Sequence, residues 1–210
     1  MNTGFIGLGA MGAHMARHLA GRGLLVAVGN RSAAKSAALA AELDVAQDDD
    51  AGAMAQRCDC IVSCVTADAD VLGIVDAVVA AGRAGVVVVD TSTIASTSAI
   101  EAARRLRAVG CDFIDAPVSG GVEGARNGRL SVMAGGDAET LARVTPVLEA
   151  FAARITHMGP VGAGQNTKAV NQVLVAGIAA AVCEGLALAE ALGLDPERLI
   201  PTLQAGAAQT

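Results

Sequence analysis

Thr3-Gly4-Phe5-Ile6-Gly7-Leu8-Gly9-Ala10-Met11-Gly12 reads as a short buried strand running straight into a helix. Gly7, Gly9 and Gly12 make a GxGxxG, and each glycine has a task in that setting. The first allows a tight turn, the second lets backbone approach a pyrophosphate, and the third lets the helix pack closely on the strand. The helix that follows would turn its free N–H groups and positive dipole end toward phosphates. A plain structural turn is the alternative in a chain with 25 glycines. The strand before the motif and the helix after it favour dinucleotide binding, with Gly7, Leu8, Gly9, Ala10, Met11 and Gly12 as the cradle.

Outward from this stretch the pattern keeps alternating. Residues 10–21 give a helix, with Met11, Met15 and Leu19 recurring every four residues. Leu24–Val28 is a strand, Ser32–Leu43 an alanine-rich helix that Ser32 could cap, and a short strand falls near Asp44–Ala46. A helical turn around Ala51–Arg57, a strand at Cys60–Val65 and a helix from Asp68 to Ala80 follow. Gly85-Val86-Val87-Val88-Val89-Asp90 is a continuous apolar strand of the kind buried on both faces of a parallel sheet. Ala95–Val109 is helical and Asp112–Asp115 a strand, and two more strands at 129–134 and 153–158 flank a helix at 138–149. This is α/β, a Rossmann-type doubly wound sheet over residues 1–160. From 161 to 210 the chain reads as the start of an all-α domain. One long helix spans Gln165–Leu192, and Gly193 and Asp195-Pro196-Glu197 punctuate it before a second that reaches Gln204.

Composition narrows the partners. Of 210 residues 53% are hydrophobic, enough for a sizeable core, but Trp and Tyr are absent and Phe occurs three times. The core is therefore expected to be Ala, Val, Leu and Ile. A net charge of −6 and the scarcity of stacking aromatics argue against nucleic acid. The longest uninterrupted apolar run, Val173–Cys183, falls short of the about 20 residues that span a bilayer, and no signal-peptide pattern is visible. A cytoplasmic protein without membrane contact is expected. Five cysteines, with Cys60, Val62 and Cys64 on one strand face, offer no CxxC pair and read as reduced, buried thiols. His14 and His18 lie four apart but lack the glutamate of a HExxH, and read as a surface face. No metal site is expected.

Four blocks carry the chemistry. Where an NAD enzyme places an acid for the ribose diol, this chain has Gly29-Asn30-Arg31-Ser32, with Lys35 one turn on. Asn30, Arg31, Ser32 and Lys35 would suit a 2′-phosphate, and a solvated helix start is the alternative. Asp90-Thr91-Ser92-Thr93 ends a central strand at its carboxyl edge, where its hydroxyls could bind ribose or a carboxamide, or cap a helix. Ser119, Gly120 and Gly121 follow another strand. They could form an anion nest for a substrate carboxylate, or an ordinary glycine-rich loop. Lys168 and Asn171, three apart in an Ala/Val helix, share a face. Burial would lower the lysine pKa and suit it to acid/base work, whereas a snorkelling lysine is the alternative.

Together, in this order, these blocks resemble the β-hydroxyacid dehydrogenase family. Gly4–Gly12 looks like its cofactor signature, Asp115-Ala116-Pro117-Val118-Ser119-Gly120-Gly121 is similar to its substrate signature, and the block from Gly159 to Gln172 looks like its catalytic signature. The resemblance implies Lys168 as catalytic lysine, Asn171 as its companion and Thr93 as a nicotinamide-side hydroxyl. Val65 joins the cofactor-binding set. Asn30-Arg31-Ser32 is similar to the branch that prefers NADP over NAD. The implied reaction is reversible hydride transfer between NADP(H) and a short 3-hydroxy acid or its semialdehyde. An imine reductase and a catalytically silent NADP-binding module are the alternatives. The family pattern continues beyond the equivalent of Thr210, so the chain reads as a C-terminally short member. The helix at 165–192, apolar on every side, is then expected to pair with its equivalent in a homodimer.

Overall fold

A computed structural model describes residues 1–206. The elements in order are β1 (Thr3–Ile6), α1 (Gly12–Gly21), β2 (Leu25–Gly29), α2 (Ala33–Leu43), β3 (Ala46–Gln47), α3 (Ala51–Arg57), β4 (Cys60–Ser63), α4 (Asp68–Ala81) and β5 (Val87–Asp90). Then come α5 (Ser96–Arg107), β6 (Asp112–Asp115), β7 (Val118–Ser119), α6 (Gly121–Arg126), β8 (Leu130–Gly135), α7 (Ala138–Leu148), β9 (Ala152–Gly159), α8 (Ala163–Ala191) and α9 (Pro196–Gln204).

The sheet has nine strands in the order β3-β2-β1-β4-β5-β6-β8-β7, with β9 paired to β8. From β3 to β6 every pairing is parallel, as a doubly wound Rossmann sheet requires. β8 runs antiparallel to β6 and β7 and parallel to β9. The polyvaline stretch shows why the sheet is two-faced. Val87 and Val89 join one core, with Phe5, Met15 and Val62, while Val86 and Val88 join the other, with Ile6, Met54 and Ile61. All three phenylalanines are buried as well, so the core is not confined to Ala, Val, Leu and Ile. Cys60, Val62 and Cys64 do share a face, but Cys64 is only half-buried.

Several boundaries move for identifiable reasons. Leu24 is not in β2, because its N–H closes α1 by bonding to Leu19 O after Gly23 takes a left-handed φ of 67°. Gly85, at φ 85°, delays β5 to Val87. Ser32 occupies the N-cap position of α2 but makes no side-chain cap, so the expected capping serine is corrected. β7 and α6 were not expected at all; two and six residues are too short for a periodic signal. His18 is not a bland surface residue. Its Nε2 lies 3.0 Å from both Ala125 O and Arg126 O, tying α1 to α6.

The chain divides into two compact units, Met1–Lys168 and Ala169 onward. The start of α8 goes with the sheet because Gly162 N and Gln165 N both donate to Asp115. Ala163–Ala191 is long and apolar enough to cross a membrane by length and composition. The expectation drawn from the uninterrupted run Val173–Cys183 missed this because Gln165, Asn166, Asn171 and Gln172 break the run without ending the helix.

Candidate active site

The order of strands reverses at β1, so the connections leaving the carboxyl ends of β1 and β4 part to opposite faces and open a crevice. A cleft of about 660 Å³ sits there. It brings together Gly7, Leu8 and Gly9 from the loop after β1 with Asn30, Arg31 and Ser32 from the end of β2. Lys35 from α2 and Val65 from the end of β4 line it as well, whereas Ala10, Met11 and Gly12 do not. Thr93, exposed after β5, and Ser119, Gly120, Gly121 and Lys168 do not line this cleft.

The three glycines differ in the way the dinucleotide reading demands. A Cβ on Gly7, at φ 99°, would stand 2.2 Å from Cys64 O; one on Gly12 would stand 1.9 Å from Gly7 O. A Cβ on Gly9 would meet nothing within 4 Å. Gly7 and Gly12 are thus glycines because the protein itself is close, whereas Gly9 faces open space into which a pyrophosphate fits. The N–H groups of Gly9, Ala10, Met11 and Gly12 find no acceptor among the described residues, which leaves four donors for phosphate oxygens. Leu8 is the exception in the cradle, since its N–H is taken by Asn30 Oδ1 at 3.0 Å. These residues fit an NAD(P) pyrophosphate. Asn30 also donates through Nδ2 to Ser32 O and through its own N–H to Asp49 Oδ1. Asp49 and Asp50 line the cleft too, and nothing in the spacing after the glycines pointed to them.

The carboxyl edge of the central strands holds a second polar assembly. Ser63, Asp90 and Asp115 stand in register on β4, β5 and β6. Asp90 is fully buried; its Oδ1 accepts from Ser63 Oγ and Ser92 Oγ, both at 2.7 Å, while Oδ2 has no partner among the described residues. Burial pushes its carboxyl up to about 6, against the pull of those hydroxyls, and Asp115 nearby adds to the rise. Thr91 Oγ1 donates to Ser63 O, and Ser92 Oγ accepts from Val65 N. These two hydroxyls are therefore spent inside the protein. Nor do they cap α5, which begins after Ala95, whose N–H donates to Asp68 Oδ1.

Gln165 joins this edge to α8. Its Oε1 accepts from Ile94 N at 3.2 Å and its Nε2 donates to Ser92 O at 2.9 Å. Asp115 takes Gly162 N on Oδ1 and Gln165 N on Oδ2, so a carboxylate meets the positive end of the helix. Burial nonetheless raises its pKa. Gly135 and Gly164 permit the approach, because a Cβ on either would fall within 2.9 Å of Asp115. Sequence reasoning missed Asp90, Asp115 and Gln165 as a unit. The available signal was an acid ending each of two apolar strands.

Lys168 follows one turn later and is 8% exposed, and its amine has no hydrogen bond or ion pair among the described residues. Burial lowers its pKa from the usual lysine range. Asn171 lies in the second unit, half-exposed, and its Nδ2 donates to Gln172 Oε1 at 3.0 Å. Ser119, Gly120 and Gly121 form a strand-to-helix junction between β7 and α6. Gly120 and Gly121 have φ of 126° and 63°, which only glycine adopts easily. No group of three or more His, Cys, Asp or Glu that could hold a metal occurs among the described residues.

Fold and cleft together define a dinucleotide-binding protein of Rossmann type. A profile of the NAD binding domain of 6-phosphogluconate dehydrogenase matches residues 2–159. A second, for the NAD-binding region of NADP-dependent 3-hydroxyisobutyrate dehydrogenase, matches 162–210. The chain is 41% identical over 201 residues to NAD-dependent L-serine dehydrogenase of Pseudomonas aeruginosa, covering 93% of this chain and 66% of that one. It superposes on 3-hydroxyisobutyrate dehydrogenase of Mycobacterium tuberculosis, solved with L-serine, with a TM-score of 0.90 at 35% identity, over 100% of this chain and 72% of that one. Likeness to a Streptomyces aurantiacus imine reductase, at 22% identity and TM-score 0.88 over 98% of this chain and 72% of that one, concerns the fold alone. The chain belongs to the β-hydroxyacid dehydrogenase family, whose members are NAD(P)-dependent oxidoreductases acting on small hydroxy acids.

Proposed function

We propose that this chain interconverts a short 3-hydroxy acid and its semialdehyde with NADP(H) as the redox partner. The observation that carries the reading is Lys168 in the second turn of α8, a largely buried side chain whose amine has no hydrogen bond or ion pair among the described residues and whose pKa is lowered by partial burial. A desolvated lysine without a counter-ion is costly, and it suits a group that gives and takes a proton at a substrate oxygen. The nicotinamide ring, when bound, supplies or accepts the hydride. The chain's own residues do the rest. Gly9 and the N–H groups of Ala10, Met11 and Gly12 hold the pyrophosphate. Arg31 and Lys35, both exposed in the cleft, favour a 2′-phosphate. Ser119 Oγ and the glycine junction after it hold the substrate carboxylate. Lys168 protonates the carbonyl oxygen in reduction and takes the hydroxyl proton in oxidation; for Asn171 the family resemblance alone supports a companion role.

The test is Lys168→Ala, with NADPH binding and semialdehyde reduction measured on the same preparation. Binding is expected to stay within a few-fold while turnover falls by about 10²–10⁴, the usual contribution of a general acid. A variant that kept most of its kcat would remove Lys168 from the mechanism.

A further inference from the structure

Position 30 closes β2 where a Rossmann fold that prefers NAD presents its ribose carboxylate. Asn30 is engaged on three sides. Its Oδ1 accepts Leu8 N at 3.0 Å, its Nδ2 donates to Ser32 O at 3.2 Å, and its backbone N–H donates to Asp49 Oδ1 at 3.0 Å. An amide meets the first two demands at once, one acceptor and one donor, which a carboxylate does not. Asp49 is fixed in its turn. Ser36 Oγ donates to Oδ1, and Gln47 Nε2 donates to Oδ2 at 2.7 Å. Burial would raise its pKa, but the bonds from Ser36, Asn30 N and Gln47 outweigh that and keep the carboxyl below its ordinary value. Asp49 is therefore ionised at neutral pH.

We propose that Asp49 is a cofactor-discriminating residue, whose carboxylate excludes an acid from position 30 and so leaves the 2′ position to Arg31. An aspartate at 30 would have two placements. Kept where Asn30 is, it would turn an oxygen onto Ser32 O, two acceptors face to face. Swung outward, it would enter the cleft that Asp49 and Asp50 already line, as a third negative charge. Asp50 cannot retreat, because it caps α3 through Gly52 N and Ala53 N. The missing acid after β2 is thus only half of the specificity device. The other half arrives from the end of β3, 19 residues later. The inference rests on the dinucleotide reading of the cleft and adds to it a residue outside the glycine motif and the β2 end.

The test is a four-way comparison of the wild type, Asn30→Asp, Asp49→Asn and the double variant. NADPH and NADH are titrated by reduced-nicotinamide fluorescence, and the thermal midpoint of each cofactor-free protein is recorded. Asp49→Asn keeps an acceptor for Asn30 N and Ser36 Oγ but sets an amide NH2 against Gln47 Nε2, so its midpoint is expected below that of the wild type and serves as the reference for the double variant. Asn30→Asp alone is expected to lower the midpoint and to bind NADH no tighter than the wild type. The double variant should recover the midpoint of Asp49→Asn and bind NADH about tenfold tighter than Asn30→Asp alone. If Asn30→Asp by itself gains as much NADH affinity as the double variant, Asp49 excludes nothing and the proposal is overturned. Equal affinity of the wild type for NADPH and NADH would instead defeat the NADP(H) reading; the coupling between 30 and 49 is read separately, from the four NADH affinities and midpoints.

Discussion

Single atoms decide the character of each glycine in the first turn. Gly9 and Gly12 look alike in the motif, yet the protein uses them oppositely. Gly12→Ala would press a methyl group onto Gly7 O, a backbone atom that cannot step aside. It is expected to cost about 3 kcal/mol by overpacking. Gly9→Ala adds a methyl to open space at an ordinary φ, so stability should stay within about 0.5 kcal/mol of wild type. That methyl would occupy the pyrophosphate's side of the loop, and NADPH affinity should fall about tenfold or more. Urea unfolding and cofactor titration on both variants separate the two roles; equal losses of stability would show that Gly9 is structural after all.

Among the elements, α8 sets the next question. No charged residue lies between Lys168 and Glu184, and Val173, Leu174, Val175, Ile178, Val182 and Leu186 are all exposed. α9 does not relieve this. It lines an apolar groove with α8 but has no buried residue of its own. A helix apolar on all sides is stable in water only when covered. The charge-free stretch between Lys168 and Glu184 can meet its equivalent in a second copy without like-charge contact, most simply about a two-fold axis. The protein is therefore expected to self-associate through α8. Light scattering across a dilution series should give a mass that falls as the protein is diluted. Val173→Lys with Leu174→Glu should shift that fall to higher concentration, whereas a constant monomer mass at micromolar concentration would rule the pairing out.

At the scale of the whole molecule the buried acids set a pH dependence. Asp90 titrates near 6 when folded and near 3.8 when unfolded. The folded state thus holds its proton more tightly, so the contribution is complete below about pH 4 and is lost as pH rises through 6. Its size is about 3 kcal/mol for a shift of this extent. Asp90→Asn keeps an acceptor for Ser63 and Ser92 and removes the ionisation. The stability of the wild type relative to this variant should fall between pH 4 and pH 7 by up to about 3 kcal/mol. Surface carboxylates with lowered pKa, such as Asp59 and Glu101, run the other way but cancel in the comparison. Parallel urea-unfolding profiles for the two proteins would show that Asp90 does not titrate as its burial demands.

The sequence by itself determined the alternation of strands and helices, the two-faced sheet and the cofactor loop. These are written in local periodicity and in glycines whose spacing fits one geometry, as with Val86–Val89 and Gly7–Gly12. The desolvation of Lys168 was legible too, because a lone lysine in an Ala/Val helix has few places to go. Only the tertiary structure decided which groups meet across long separations. Asp49 reaches Asn30, Asp115 reaches Gly162 and Gln165, and Gln165 reaches Ser92 and Ile94. Those contacts depend on strands packed side by side that are far apart along the chain, and no periodicity records which acid at a strand end will find which N–H. The short β7 escaped for a related reason: pairing with β8, rather than its own composition, makes it a strand.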